Sequence, residues 1–184
     1  VSCQKVYVVG ILKCLDALSQ KWKEGLNKTK NFNKSSDVIK KGIGLGSCWY
    51  GCGNTALPNP STIKVGIDNI GRLFLHQGAT DIGQGSNTVI TQICADALGV
   101  PINVFKLIGP DTHLTPDCGK TSASRQTYIS GKAAELAGTS LRKKILRLSN
   151  MGSDAVIEFI DKSVVVSHKD KKQVLNLNEM DKNK

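Results

Sequence analysis

The feature that most constrains the fold is the stretch from residue 78 to residue 126, where two short polar segments each precede a helix-forming pattern. The first polar segment, residues 83–85, reads Gly-Gln-Gly. The second polar segment, residues 121–126, reads Thr-Ser-Ala-Ser-Arg-Gln. Between them lie an apolar run that predicts a strand and a loop rich in Asp, Thr and Pro. We therefore expect both helix starts at one edge of a small sheet.

The first polar segment leads into a predicted helix whose apolar positions have helical spacing and which Gly99 and Pro101 end. The first N–H groups of a helix have no partner inside it, so they can donate to a phosphate, a carboxylate or an oxo group. Gly83 and Gly85 would let such a ligand approach the backbone, and Gln84 adds an amide that both donates and accepts. The alternative is a Gly-rich turn in which Gln84 points into water.

The second polar segment repeats this arrangement. Thr121, Ser122 and Ser124 are residue types that cap helix N-termini. Apolar residues between positions 133 and 148 then fall on one face of a predicted helix. The segment holds more hydrogen-bonding side chains than one cap requires, and it adds the cation Arg125. This excess predicts a binding surface, and the alternative is that two of the residues cap the helix while the rest are solvated.

The remaining patterns predict short strands around these two helices. Residues 62–67 and 72–77 form a predicted hairpin, and residues 102–108 form a third strand. A second hairpin is predicted within residues 156–167, and the polar residues from 169 onward are expected to fray. The predicted fold class is α+β, with a small mixed or antiparallel sheet packed by two central helices.

The N-terminal part predicts a separate region. Residues 5–24 have the apolar spacing of an amphipathic helix that Gly25 is expected to end, and residues 25–41 read as a Lys-rich linker. The glycine-rich run 42–55 is predicted to be a strand at a tight crossing or, alternatively, the lining of a ligand cavity. We therefore divide the chain into an N-terminal helix with its linker, residues 1–41, and an α+β domain, residues 42–184.

Charge and cysteine content narrow the possible functions. The net charge is +10, and residues 1–41 alone contribute +6 from nine Lys and three acidic residues. Only 5% of residues are aromatic and no stretch combines dense Lys and Arg with exposed aromatic residues, so a Lys-rich surface facing an anionic partner or cofactor is favoured over nucleic-acid binding. The six cysteines have irregular spacing, which predicts free thiols in a reducing cytosol and no structural metal. No apolar run approaches the ~20 residues that cross a bilayer.

Several motifs in the right order are similar to one enzyme family. They are GQG-x-x-T-x-x-x-Q-I at 83–93, A-x-x-L-G-V-P at 95–101 and D-T-x-x-T-P-x-x-G-x-T-S-A-S-R-Q-T at 111–127. Upstream, SCWYGCGNT at 47–55 and PNPST at 58–62 add to the likeness. The chain thereby resembles the molybdenum-binding subunit of the xanthine dehydrogenase and aldehyde oxidase family of molybdenum hydroxylases, most closely its bacterial branch of purine and nicotinate hydroxylases.

The resemblance implies an oxidoreductase that hydroxylates a carbon of a small heterocyclic substrate with oxygen from water. It implies a domain that binds molybdopterin, as such or as its cytosine dinucleotide, with iron–sulfur clusters and FAD on partner chains. It also implies a cytoplasmic complex with the rest of the molybdenum subunit, without nucleic acid or membrane as partners. The alternatives are a non-catalytic module that holds a phosphate-bearing ligand and a basic nucleic-acid-binding domain.

The resemblance also assigns residues by position. Gln84 would hydrogen-bond the cofactor near the metal, and the second polar segment would line the cofactor through backbone N–H groups and side chains. A surface salt bridge is the alternative for Arg125. The implied cofactor-binding residues are Gly83, Gln84, Gly85, Ala123, Ser124, Arg125 and Gln126.

One expected catalytic element is missing. The family's base is a glutamate in a G-x-G-E-type motif, and Glu135, Glu158 and Glu179 all lack the flanking glycines. No protein ligand to the metal is implied either. We therefore expect no catalytic residue in this chain, and we expect it to act as part of a larger subunit.

Overall fold

The computed structural model describes residues 10–48, 50–53, 58–160 and 162–179. The chain divides into two compact units, Val1–Tyr50 and Gly51–Lys184. The sequence-based boundary after residue 41 stays a prediction. No helix in the described ranges is long and apolar enough to cross a bilayer.

The first unit contains one long helix, α1, Ile11–Ser35. The prediction that Gly25 ends this helix is wrong, because a single Gly inside a helix costs only about 1 kcal/mol relative to Ala. The predicted linker is therefore helical as far as residue 35. The chain after α1 folds back along it, where Ile43 occupies the space that a Gly25 side chain would need. The Asn33 side chain holds this return segment through Lys41: its Nδ2 donates to the Lys41 carbonyl at 2.9 Å, and its Oδ1 accepts from the Lys41 amide at 2.8 Å.

The glycine-rich run after α1 has no regular secondary structure at residues 41–48 and 50–52. A Cβ added to Gly42, Gly44, Gly46 or Gly51 would meet no atom within 4 Å. The predicted strand at a tight crossing is therefore wrong for these described residues. Trp49 and residues 54–57 of the run lie outside the described residues.

The second unit contains two three-stranded sheets. The first joins β1, Ile63–Ile67, antiparallel to β2, Leu73–Gln77, which pairs in parallel with β3, Phe105–Ile108. The second is an antiparallel meander of β4, Val156–Ile160, and two further strands. These are β5, Ser163–His168, and β6, Lys171–Asn176.

Two helices pack on these sheets, α2, Ser86–Leu98, and α3, Gln126–Leu148. Gly99 has the left-handed conformation at the end of α2, as predicted, and its N–H bonds the carbonyls of Ala95 and Asp96. A short 3-10 turn, Ile102–Val104, precedes β3. The predicted α+β class with two central helices is confirmed.

The core has two clusters, and one of them supports the start of α2. Ile90 in α2 is fully buried with Leu75 of β2 and Ala134 of α3. The other cluster joins the end of α3 to the second sheet through Ile145 and Val166. The first residues of α2 therefore sit on a packed sheet and helix.

The C-terminal prediction is wrong in one respect. Residues 171–176 form β6, paired with β5, instead of a frayed tail. Their side chains are exposed or partly exposed, and β6 is held by backbone pairing with β5 and by Leu175, which packs against the core cluster of the second sheet.

Candidate functional site

The start of α2 depends on two glycines with left-handed backbone conformations. Gly83 has φ of 102°, and Gly85, the N-cap, has φ of 80° and ψ of 20°. Residues with a Cβ rarely adopt such φ values. A Cβ built on either glycine would meet no atom within 4 Å. The glycines therefore shape the turn and leave its backbone open to an approaching ligand.

Three backbone amides of this turn and helix start donate to a side chain of the protein itself. The Asp81 carboxylate accepts from the amides of Gly83 at 2.9 Å and Gly85 at 3.2 Å through Oδ1, and from that of Asn87 at 3.1 Å through Oδ2. Donation from Asn87 and Gly83, and then from Gly85, holds the pKa of Asp81 below the usual aspartate value against partial desolvation. The N-terminus of α2 thus already carries an anion.

The lowered pKa of Asp81 has a direct consequence for stability in acid. The carboxylate contributes fully above the unfolded-state pKa of about 3.9, and its contribution is lost as the pH falls through the lower folded-state pKa. We expect the difference in unfolding free energy between the wild type and Asp81→Asn to be constant above about pH 5 and to shrink on acidification. Urea titrations at a series of pH values measure this difference. A difference that grows in acid contradicts the assignment.

The Gln84 side chain is exposed but folds back over its own turn. Its Oε1 accepts from the amide of Ile82 at 2.6 Å, and its Nε2 donates to the carbonyl of Thr80 and to Ser86 Oγ, both at 3.1 Å. Gln84 is exposed, as in the alternative of a Gly-rich turn, but its carboxamide bonds to that turn instead of extending into water. The carboxamide is held at the surface in a defined orientation.

The two polar segments meet at one carbonyl group. The Thr80 carbonyl that accepts from Gln84 also accepts from Thr121 Oγ1, at 2.8 Å. Thr121 in turn accepts from Gln126 Nε2 at 3.2 Å. The two polar segments are therefore adjacent, whereas their predicted position at one edge of the sheet stays a prediction.

The second polar segment enters α3 through two strained residues. Ala123 and Ser124 have φ of 51° and 54°, values that side chains with a Cβ seldom adopt. The Ala123 carbonyl accepts from the amide of Gly53 at 2.5 Å, whereas the Ser124 side chain is exposed. Such strain persists only where surrounding contacts impose it, and it is frequent at functional sites.

Arg125 is buried, with 1% of its surface exposed. Its Nη1 donates to the carbonyls of Cys118 at 2.7 Å and Lys120 at 3.0 Å, its Nη2 to that of Pro60 at 2.8 Å, and its Nε to Asn59 Oδ1. The surface salt bridge considered for this residue is wrong. The hydrogen bonds of the guanidinium instead connect the start of α3 to residues 58–62 and to the loop before α3.

Gln126 is also turned inward, with 4% exposure. Its Nε2 donates to the Lys120 carbonyl at 3.2 Å, and its Oε1 accepts from Ser130 Oγ. Ser130 is hydrogen-bonded to Ser61 Oγ at 2.8 Å. Among the implied binding residues, Gln84 and Ser124 therefore present exposed side chains, whereas Arg125 and Gln126 support the segment from below.

The sequence patterns did not single out Asp81, Thr80 or Asn59. An Asp two residues before a Gly is a known turn signal, because its carboxylate can accept from that amide, so Asp81 could have been found. Thr80 acts through its carbonyl, which no side-chain pattern reveals. Asn59 is paired with Arg125 across the fold, and a single sequence carries no sign of this pairing.

The cysteines of the described chain are free thiols. Cys94 and Cys118 are buried, and Cys14, Cys48 and Cys52 are exposed. Burial raises the pKa of the Cys94 thiol to about 12. Cys118 Sγ accepts from the amide of Gly78 and donates to the Thr62 carbonyl, both at 3.0 Å, which is a structural role.

Two recesses occur elsewhere on the second unit. One of about 480 Å³ lies among the β1–β2 turn, α3 and the end of β6, and one of about 870 Å³ lies along α2 and α3. Neither is lined by a residue of the two polar segments. Gln84 and Ser124 are exposed and lie outside these two recesses.

Known proteins resemble this chain in sequence. The chain is 29% identical over 153 residues to the xanthine dehydrogenase molybdenum-binding subunit of Escherichia coli O157:H7, which covers 78% of the chain and 19% of that subunit. It is 32% identical over 127 residues to subunit gamma of the 6-hydroxypseudooxynicotine dehydrogenase complex of Paenarthrobacter nicotinovorans, which covers 69% of the chain and 15% of that subunit. The chain thus spans less than a fifth of the length of these relatives.

The fold has a counterpart among solved structures. The aldehyde oxidoreductase of Desulfovibrio desulfuricans superimposes with a TM-score of 0.52 at 20% identity, over 91% of this chain and 22% of that one. The family model of the molybdopterin cofactor-binding domain matches residues 16–183. The resemblance drawn from the motifs is confirmed, and neither the phosphate-module nor the nucleic-acid alternative gains support. The chain belongs to the family of molybdopterin cofactor-binding domains found in xanthine dehydrogenase- and aldehyde oxidase-type molybdenum hydroxylases.

Proposed function

We propose that this chain supplies part of the molybdopterin-binding surface of a xanthine dehydrogenase-like molybdenum hydroxylase. The observation that carries the proposal is the Thr80 carbonyl, which holds Gln84 and Thr121 together. Because both polar segments are fixed to one carbonyl, a single ligand can contact both. The residues proposed to form the cofactor site are Gly83, Gln84, Gly85, Ala123, Ser124, Arg125 and Gln126, of which Arg125 and Gln126 support it from the buried side.

The residues present can hydrogen-bond such a ligand through their side chains more readily than through backbone amides. The amides of Gly83 and Gly85 already donate to Asp81, so they are not free for an anion. The open space beside both glycines admits a ligand to the Gln84 carboxamide, which can donate and accept. Ser124 adds an exposed hydroxyl. Arg125 and Gln126 act by holding the strained backbone of this segment.

The proposed complete enzyme oxidises a heterocyclic C–H bond. The bound molybdenum cofactor supplies the redox chemistry, in which the C–H bond is replaced by C–OH with oxygen from water while two electrons and two protons leave. We propose that the electrons pass to iron–sulfur clusters and FAD on partner chains. Because the expected glutamate base is not in this sequence, this chain alone is proposed to be inactive.

Replacing Gln84 tests the proposal in the assembled enzyme. Gln84→Ala removes the carboxamide without touching the core, and we expect the molybdenum and pterin content per protomer to fall about tenfold, as for other residues that orient a bound metal group. Gln84→Glu keeps the shape but replaces two N–H donors with an anion, so we expect at least the same loss. Metal and pterin analysis of purified complexes measures both.

Gln92→Ala is the matched control, since Gln92 is an exposed glutamine on the same helix. Its cofactor content should equal that of the wild type. Wild-type cofactor content in both Gln84 variants would refute the proposed role of Gln84.

A further inference from the structure

Asp81 and Gln84 belong to one closed turn. The three amides that donate to Asp81 come from Gly83 and Gly85, on either side of Gln84, and from Asn87 in the first turn of α2. The Gln84 side chain bonds only to groups of the same turn, among them the Ile82 amide and the Thr80 carbonyl. Asp81 therefore fixes the backbone on both sides of the residue that presents the carboxamide.

The charge of Asp81 also decides which groups remain for a ligand. A carboxylate at a helix N-terminus offsets the partial positive charge of the helix dipole and uses the free N–H groups. An anionic cofactor gains nothing from amides that are already bonded to an anion. The Gln84 carboxamide also bonds within the turn, but it is neutral and exposed, so it can reach a ligand by exchanging these partners or through the second acceptor position of Oε1.

We propose that Asp81 is a positioning residue, which holds the amides of Gly83, Gly85 and Asn87 so that the Gln84 carboxamide is presented to the cofactor while these three amides are withheld from it. This inference rests on the proposed function of Gln84. It adds that the first polar segment recognises the cofactor through a side chain of fixed orientation. Asp81 itself makes no contact with the cofactor.

A double-mutant cycle in the assembled enzyme tests this positioning role. Asp81→Ala should lower the molybdenum and pterin content about tenfold, as Gln84→Ala does. If Asp81 acts through Gln84, the double variant should lose no more cofactor than either single variant. Asp81→Glu, which restores the anion on a longer side chain, should recover part of the loss.

A second readout is independent of the cofactor. Hydrogen exchange of the Gly83, Gly85 and Asn87 amides should accelerate in Asp81→Ala and stay slow in Gln84→Ala, because only the first change removes their acceptor. If Asp81→Ala does not fold, Asp81→Asn replaces it in this experiment. Asparagine has one side-chain oxygen, so it cannot accept at both positions where the Asp81 carboxylate does.

Asp68→Asn is the matched control. Asp68 likewise accepts from two backbone amides, those of Ile70 at 3.1 Å and Arg72 at 2.8 Å, in the β1–β2 turn. This variant should lose turn stability and keep its cofactor. Losing cofactor to the same extent as Asp81→Ala would overturn the positioning role, because turn stability alone would then explain both losses.

The outcomes separate this inference from the proposed function. Wild-type cofactor content in Asp81→Ala, with loss in Gln84→Ala, overturns the positioning role and leaves the role of Gln84 intact. A loss of about a hundredfold in the double variant, the product of the two single losses, also overturns it, because Asp81 would act independently. Wild-type content in Gln84→Ala refutes the proposed function and this inference with it.

Discussion

Replacing Arg125 with methionine is expected to lower the free energy of unfolding by about 3–5 kcal/mol. The guanidinium is buried and satisfies the carbonyls of Pro60, Cys118 and Lys120 as well as Asn59 Oδ1. Each buried acceptor that loses its partner costs about 1–3 kcal/mol, and those nearest the surface can recover water. Methionine has a volume similar to that of arginine, so the decrease in unfolding free energy measures the lost hydrogen bonds. Urea denaturation of the chain measures it.

Arg142→Met provides the matched control for Arg125. Arg142 also donates to three carbonyls, those of Leu98, Ser153 and Ala155, at 2.7 to 2.8 Å, away from both polar segments. We expect Arg142→Met to lower stability but to keep the cofactor content of folded, assembled enzyme. Arg125→Met should lower both the stability and the cofactor content, because the hydrogen bonds that hold the strained backbone of Ala123 and Ser124 are lost. An Arg125→Met variant within 0.5 kcal/mol of the wild type, roughly the range of a surface change, would contradict the bridging role.

Replacing Gly138 with leucine is expected to lower the free energy of unfolding by about 2–3 kcal/mol. At Gly138, helix α3 lies against the backbone of α2, since an added Cβ would stand 2.6 Å from the Cys94 carbonyl oxygen and 3.0 Å from Ala97 Cβ. Backbone cannot move aside as a side-chain tip can, so the helices must separate.

Ser140→Leu is the control for this packing change, because Ser140 is exposed on the same helix. Its unfolding free energy should stay within about 0.5 kcal/mol of the wild type. Thermal and urea unfolding of the two variants, compared with the wild type, measures the difference. Equal stability of Gly138→Leu and Ser140→Leu would show that α2 and α3 do not pack as described.

Local signals explain what the sequence predicted well. Gly99 and Pro101 marked the end of α2, because the left-handed conformation and the missing N–H of proline act within a few residues. The β1–β2 hairpin followed from alternating apolar residues on either side of a turn. The class of ligand came from the motifs, and the family match bears it out.

Long-range contacts explain what the sequence did not predict. Arg125 looks like a surface cation in its polar segment, yet its acceptors include Asn59 and Pro60, far away along the chain. From the sequence, the start of α2 looked open to an anionic ligand. The sequence pattern does not show that the Asp81 carboxylate accepts from the same amides. Strand β6 was missed because its residues show no apolar alternation, and its pairing with β5 and the packing of Leu175 are contacts with distant parts of the chain.

The central claim is that the two polar segments, fixed to one carbonyl, contact a single molybdopterin ligand. An experimental structure of the assembled, cofactor-loaded enzyme tests it most directly. We predict the Gln84 carboxamide within hydrogen-bond distance of the cofactor, about 3 Å, with the 121–126 segment touching the same molecule. A bound cofactor that no atom of Gln84 reaches, or one that contacts a single segment, would contradict it.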